Sequence, residues 1–181
     1  MNFKTEYSDT HERRFNKTLN VLIKHLPPPL KVLDLGPDNP MADLMRKAGY
    51  EIHNTPEGLD LDLDYSSELI KDDSFDVVTS FEVFEHLVNP FGVLSNIGAE
   101  KLVTTVPLNL WFAKAYWNDK DPFDRHFHEF EPRQFDMLLE KSGWEKVYYE
   151  NWKSDSIGLG IRPILRYFTP RHYLVIANRI V

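Results

Sequence analysis

"KVLDLGPDNP", residues 31–40, decides the fold. Val32, Leu33 and Leu35 are apolar residues of strand type set around the acid Asp34, and the run ends on Gly36. Asn39 is a good N-cap and Pro40 suits the first helical position, so a helix begins there. Met41, Leu44, Met45 and Ala48 give that helix its apolar face, and Gly49 suits its end. Strand, tight turn and helix follow one another as they do around a nucleotide-binding turn, but the turn has a single glycine.

The alternation continues outward in both directions. Residues 9–26 read as a helix: Asp9 and Glu12 have capping-box spacing, Phe15, Leu19, Leu22 and Leu26 form a helical stripe, and Pro27, Pro28 and Pro29 stop it. "YEIHNT" (50–55) predicts a second strand. "LDLDLD" (59–64) alternates strictly and predicts a short third strand with one acidic face. "FDVVTSF" (75–81) suits a buried parallel strand, and "KLVTTVPL" (101–108) a fifth. Between them Asn89 and Pro90 open a short helix with Val93, Leu94 and Ile97 inward. "PRQFDMLLEKSGW" predicts a helix from Pro132 to Gly143. "EKVYYENW" (145–152) and "HYLVIANRIV" (172–181) are two late strands, joined by a connection with a helical turn of its own. Strands alternating with helices predict the α/β class, as one domain spanning residues 1–181: an αβα sandwich of three layers around a mostly parallel sheet.

Composition narrows the function. The 181 residues contain no cysteine, which excludes disulfides, thiolate metal sites and a cysteine nucleophile; this fits a reducing, cytoplasmic setting. No apolar run approaches the roughly 18 residues of a membrane span, and the polar start "MNFKTEYSDTHERRF" is not a secretory signal. The formal net charge of −7 and the lack of a basic, aromatic-interleaved groove argue against a nucleic-acid partner. The charge is uneven: residues 51–100 carry twelve acids against the single Lys71, whereas residues 151–181 carry Lys153, Arg162, Arg166, Arg171 and Arg179 against Asp155. That basic segment permits an anionic substrate or an acidic partner. Nothing in the sequence speaks to oligomeric state.

In an open parallel sheet, ligands bind beyond the C-terminal ends of the strands, beside the switch point. The candidates are therefore Asp34 to Asn39, Asn54 to Glu57, Asp62 to Tyr65, and Ser80 to His86. Asp60, Asp62 and Asp64 do not make an EF-hand, because the sixth position from Asp60 is Tyr65 rather than glycine. His126, His128 and Glu129 in "DRHFHEFE" offer two imidazoles on one face but no evident third ligand, so no metal site is expected.

"VLDLG" after a helix, the acidic "DLD", then "DDSFDVVTSFEVFEHL", "LVTTVP" and "HEFEPRQFDMLLEKSGW" are an ordered set that resembles the class I S-adenosylmethionine (SAM)-dependent methyltransferases of small-molecule type. The resemblance spans roughly residues 10–181. It implies a seven-stranded sheet of order 3-2-1-4-5-7-6 with strand seven antiparallel, SAM as cofactor and a small-molecule methyl acceptor. It also implies roles. Asp34 and Gly36 match the motif beneath the methionine part of SAM. Asn54 or Glu57 would meet the ribose hydroxyls. Asp64 and Tyr65, with Asp62 one pleat away, would meet the adenine. Phe81 and Glu82 would line the methionine end, and Glu85 and His86 belong to the family's "EH" signature. Asp38 at the helix N-terminus would repel the pyrophosphate of a dinucleotide but can neighbour the ammonium of SAM. The region after strand five recognises acceptors in such proteins. There His126 and His128, together with His86, are candidate general bases, and Trp111, Phe112, Tyr116 and Trp117 are candidates for a lid or a simple cover of the sheet.

Two other readings compete. A nicotinamide-dependent oxidoreductase needs further glycines that "GPDNPM" lacks. A methyltransferase-like domain that binds without catalysing would tolerate the altered turn.

Overall fold

Val32 and Leu33 are neighbours in the chain and face opposite layers. Val32 packs with Val21, Leu22, Met41 and Met45, whereas Leu33 packs with Ile70, Leu94 and Phe135. The same split separates Val77 from Val78, Leu102 from Val103 and Leu174 from Val175. Both faces of these strands are apolar because both are covered, as in a sheet layered between helices. In the computed structural model, described over residues 9–121, 124–153, 165 and 167–180, the order is α1 (Asp9–His25), β1 (Lys31–Asp34), α2 (Pro40–Lys47), β2 (Glu51–Asn54), α3 (Glu68–Lys71), β3 (Val77–Phe81), α4 (Pro90–Asn96), β4 (Lys101–Pro107), α5 (Pro132–Lys141), β5 (Trp144–Lys153) and β6 (Pro170–Arg179). The side chains of α1 and α2 line one face; those of α3, α4 and α5 line the other.

The sheet runs β2-β1-β3-β4-β6-β5. The first four strands are parallel, and β6 is antiparallel to both β4 and β5. Among the described residues the sheet has six strands, not the expected seven. "LDLDLD" is no strand: its residues form consecutive turns. The N–H groups of Leu63 and Asp64 donate to the Asp60 carbonyl at 3.0 and 2.6 Å, that of Asp62 to the Asp60 carboxylate at 2.9 Å, and that of Asp60 to the Asp64 carboxylate at 3.2 Å. Short acidic side chains offer the backbone local partners and so compete with a ladder. Leu61 is buried while Leu63 stays 78% exposed, so the alternation does not describe two faces of one strand.

Local punctuation holds elsewhere. The Asn39 side-chain oxygen accepts from the N–H groups of Met41 and Ala42 at 2.9 and 3.0 Å, and Asn89 caps α4 through Gly92 at 3.1 Å. Gly49 and Gly143 take positive φ (102° and 88°) just past the ends of α2 and α5. The Asp9 end of the expected capping box and most of the connection between β5 and β6 lie outside the described side chains. Among the described residues, no helix is long and apolar enough to cross a membrane.

Candidate functional site

The turn between β1 and α2 is built on a buried acid. Thr79, paired with Asp34 in the β1–β3 register, donates its hydroxyl to Asp34 Oδ1 at 2.6 Å. Asn39 and Asn54 donate to Oδ2 at 3.2 and 3.1 Å. Burial outweighs these three donors and pushes the carboxyl up to about 6. Asn39 thus caps α2 with one end of its amide and holds Asp34 with the other. Gly36 follows at φ 128°, with its N–H donating to Thr55 Oγ1 at 2.8 Å. A Cβ placed on Gly36 would meet no atom within 4 Å. Glycine is needed here for its backbone angle, and the space beside it is open to a ligand.

The other expected cofactor residues divide sharply. Asn54 is committed: besides Asp34, its amide reaches the Gly36 carbonyl at 3.3 Å, and its oxygen accepts from Arg46 at 2.7 Å. Arg46 also pairs with Asp38 at 2.7 Å, which turns that exposed acid outward along α2. Glu57 is exposed. Asp62 accepts the N–H groups of Val88 and Asn89 at 2.9 and 2.7 Å and so ties its turn to the entry of α4. Asp64 is bound to Asp60 within its own turn, and Tyr65 packs against Gly92. With no strand at 59–64, Asp62 and Asp64 do not share a pleated face. Phe81 packs on the α1–α2 layer.

Two acids, Glu82 and Glu85, follow the end of β3. Glu82 has φ 58°, a left-handed conformation that costs a non-glycine residue about 1–2 kcal/mol. Its N–H is fixed by the Thr105 carbonyl at 2.9 Å. Its carboxylate pairs with Arg14 of α1 at 2.9 Å and lies 3.4 Å from His172 Nδ1 on β6. Burial would raise this acid, but His172 and Arg14 outweigh it and hold it down at about 2. Glu85, one 3-10 turn later (Phe84–His86), is 1% exposed. Burial and then the charge of Glu82 push its carboxyl well above the ordinary range, and its Oε2 has no hydrogen-bond partner among the described residues.

The histidines gather here. The N–H groups of Phe127 and His128 donate to the Glu85 carbonyl at 2.8 and 3.2 Å, which docks the segment before α5 on the 3-10 turn. The rings of His86 and His126 meet edge to face, with centroids 4.9 Å apart. Burial and then His126 hold His86 below the ordinary histidine range. His128 stands apart, stacked on Phe130 at 5.4 Å. Trp111 is 73% exposed, and Tyr116 and Trp117 are exposed as well, so these aromatics do not cover the sheet. Instead the loop folds on itself: Trp117 receives Arg125 over its ring at 4.5 Å, and Tyr116 donates its hydroxyl to Asp124 at 2.8 Å. Arg14, Thr79 and His172 were not legible as site residues. Each comes from a distant element, and only the β1–β3 and β4–β6 registers and the seat of α1 bring them in.

A parallel sheet with a glycine turn after β1, a charged cluster after β3 and an antiparallel penultimate strand position define a class I methyltransferase fold, the class that uses SAM. Residues 7–149 match the family described as "Methyltransferase domain"; the chain belongs to that family. The fold is similar to that of a SAM-dependent methyltransferase from Archaeoglobus fulgidus, with 20% identity, 93% of this chain and 94% of that one covered, and a TM-score of 0.64. It is also similar to the Burkholderia thailandensis 1,6-didemethyltoxoflavin-N1-methyltransferase solved with S-adenosylhomocysteine, with 16% identity, 95% and 84% covered, and a TM-score of 0.61. A Haloferax volcanii chain from the complex with the Trm112 methyltransferase activator gives 14% identity, 94% and 92% covered, and a TM-score of 0.59. No curated protein matches the sequence.

Proposed function

We propose that this chain is a SAM-dependent methyltransferase that binds its cofactor across the ends of β1 and β3 and methylates a small-molecule acceptor. The observation that carries the reading is the Gly36 turn: open on its ligand side, with φ 128°, and backed by an acid that three side chains hold in place. Gly36 and its neighbours would lie under the methionine part. Arg14 and Glu82, a guanidinium beside a carboxylate, suit the opposite charges of an amino-acid zwitterion. Bound SAM supplies an electrophilic methyl group. The chain's part is to align the acceptor and exclude water, because in-line displacement gains most from positioning.

His86 and His126 are each held through Nδ1, which leaves Nε2 as the nitrogen that would take a proton from the acceptor; His128 is the third candidate base. The ribose end is the weaker half. Asn54 is spoken for by Asp34 and Arg46, and no acid stands beside it on β2. That favours modest affinity, and it keeps the second reading, a binding subunit without turnover, in play. Calorimetry with SAM and S-adenosylhomocysteine tests both. Saturable binding, abolished in Gly36→Val, supports the cofactor site; no binding to either ligand overturns the enzyme reading.

A further inference from the structure

Glu85, His86 and His126 converge from two segments that are far apart in sequence. One ligand atom of each lies within 4.8 Å of the others. The partners of the two rings settle which nitrogen carries the proton. The Arg125 carbonyl, 3.1 Å from His86 Nδ1, can only accept, so Nδ1 donates. The Glu129 carboxylate, 2.9 Å from His126 Nδ1, imposes the same choice. Both rings therefore keep Nε2 as the free lone pair. His86 Nε2 lies 3.7 Å from Glu85 Oε1. That is too long for a hydrogen bond. It is close to the roughly 3.4 Å that separates two ligands at about 2.1 Å from one tetrahedral ion. Glu85 is fully buried, and its second oxygen has no hydrogen-bond partner among the described residues. An unpartnered oxygen on a buried carboxyl, beside two imidazole lone pairs, leaves a donor set that a cation would satisfy.

We infer that Glu85, His86 and His126 bind a divalent transition-metal cation, with Glu129 orienting His126 from behind, and that the open positions of the ion take an oxygen donor of the methyl acceptor. Two imidazoles and one carboxylate suit Mn²⁺, Fe²⁺, Co²⁺ or Zn²⁺ better than Mg²⁺ or Ca²⁺, which prefer oxygen throughout. Three protein ligands leave room for a further one. A carboxylate behind a ligating histidine is the usual outer support of such a site. The cation half of the inference stands on its own; the acceptor half rests on the methyl-transfer reading and narrows it to hydroxylated or carboxylated acceptors. With both rings ligating, neither would serve as a free base.

The test uses chelator-stripped full chain titrated with Co²⁺, read by its visible absorption, and with Mn²⁺, read by electron paramagnetic resonance. About one equivalent should bind. His126→Ala and Glu85→Gln should each weaken binding at least 10-fold, and Glu129→Gln about 10- to 100-fold, whereas His128→Ala should bind like the parent. Circular dichroism identifies any variant that fails to fold. Glu129→Gln, at a partly exposed position, keeps the test decisive should Glu85→Gln unfold. No Co²⁺ or Mn²⁺ bound at millimolar concentration, or full affinity in both His126→Ala and Glu129→Gln, overturns the inference. Calorimetry with S-adenosylhomocysteine on the same samples separates the two readings: cation without nucleoside removes the methyltransferase reading alone, and nucleoside without cation removes the metal site alone.

Discussion

Asn54 stands opposite Asp34 in the β1–β2 register and donates its amide to that buried acid at 3.1 Å, while its oxygen accepts from Arg46 at 2.7 Å. One neutral side chain bridges a buried carboxylate and a guanidinium. An aspartate there would face Asp34 with like charge and no donor. Asn54→Asp is expected to cost about 1–3 kcal/mol at pH 8. At pH 5 the cost should shrink, because Asp34, with its carboxyl at about 6, is then protonated and can donate. Urea unfolding at the two pH values checks this; equal losses would remove the explanation.

Asp34 also sets a pH dependence. Its folded value of about 6 exceeds its ordinary 3.8, so the native state holds the proton more tightly. The associated stability is fully present below about pH 4 and is lost as pH rises through about 6, by up to about 3 kcal/mol. Asp34→Asn should lack this slope between pH 4 and 7. It should also be less stable than the parent at pH 5, because its amide would oppose the amides of Asn39 and Asn54. An unchanged slope would place the titration elsewhere.

Glu82 acts with the opposite sign. Its carboxyl is held below the ordinary 4.5, so its contribution is present above about pH 4.5 and is lost as pH falls toward about 2. Arg14→Met leaves Glu82 beside His172 without its guanidinium. The expected loss is about 2 kcal/mol at pH 7, below the value for a fully buried pair because both side chains are partly exposed. Binding of S-adenosylhomocysteine should weaken in the same variant. Stability and binding both at parent level would show that the pair is ornamental.

Two glycine-to-alanine changes should fail for different reasons. At Gly36 an added Cβ meets nothing within 4 Å, and only φ 128° is strained; about 1–2 kcal/mol is expected, or a midpoint lower by about 2–8 °C. At Gly98 the Cβ would lie 2.1 Å from the Lys71 carbonyl oxygen, where α3 abuts the end of α4. That backbone must move, at a cost of about 3 kcal/mol or more. Differential scanning calorimetry should rank Gly98→Ala well below Gly36→Ala; the reverse order would contradict both accounts.

The parts of the fold with local causes were legible. Asn39, Pro40 and Gly49 bound α2, the apolar runs mark β1, β3 and β4, and their two-sided hydrophobicity gives three layers. "LDLDLD" misled because period-two alternation records hydrophobicity and not where carboxylates find partners; Asp60, Asp62 and Asp64 find them in their own turn and at Val88 and Asn89. In the site, Asp34, Gly36 and Glu82 were legible from their place at strand ends. The Glu85–His86–His126 group was not. Glu85 and His86 reach His126 from the 3-10 turn after β3, far from residues 126–129 in the chain. Asn54, expected with Glu57 as one of two candidates for the ribose, is bonded to Asp34 and Arg46, partners that a β-strand end does not announce.

The strand that pairs with both β4 and β5 follows them in the chain. During synthesis β4 and β5 emerge with their facing edges bare, and neither can complete a ladder until Pro170–Arg179 slides between them. Until then each of the two strands carries a row of unpaired backbone groups, the kind of edge that can pair with another chain.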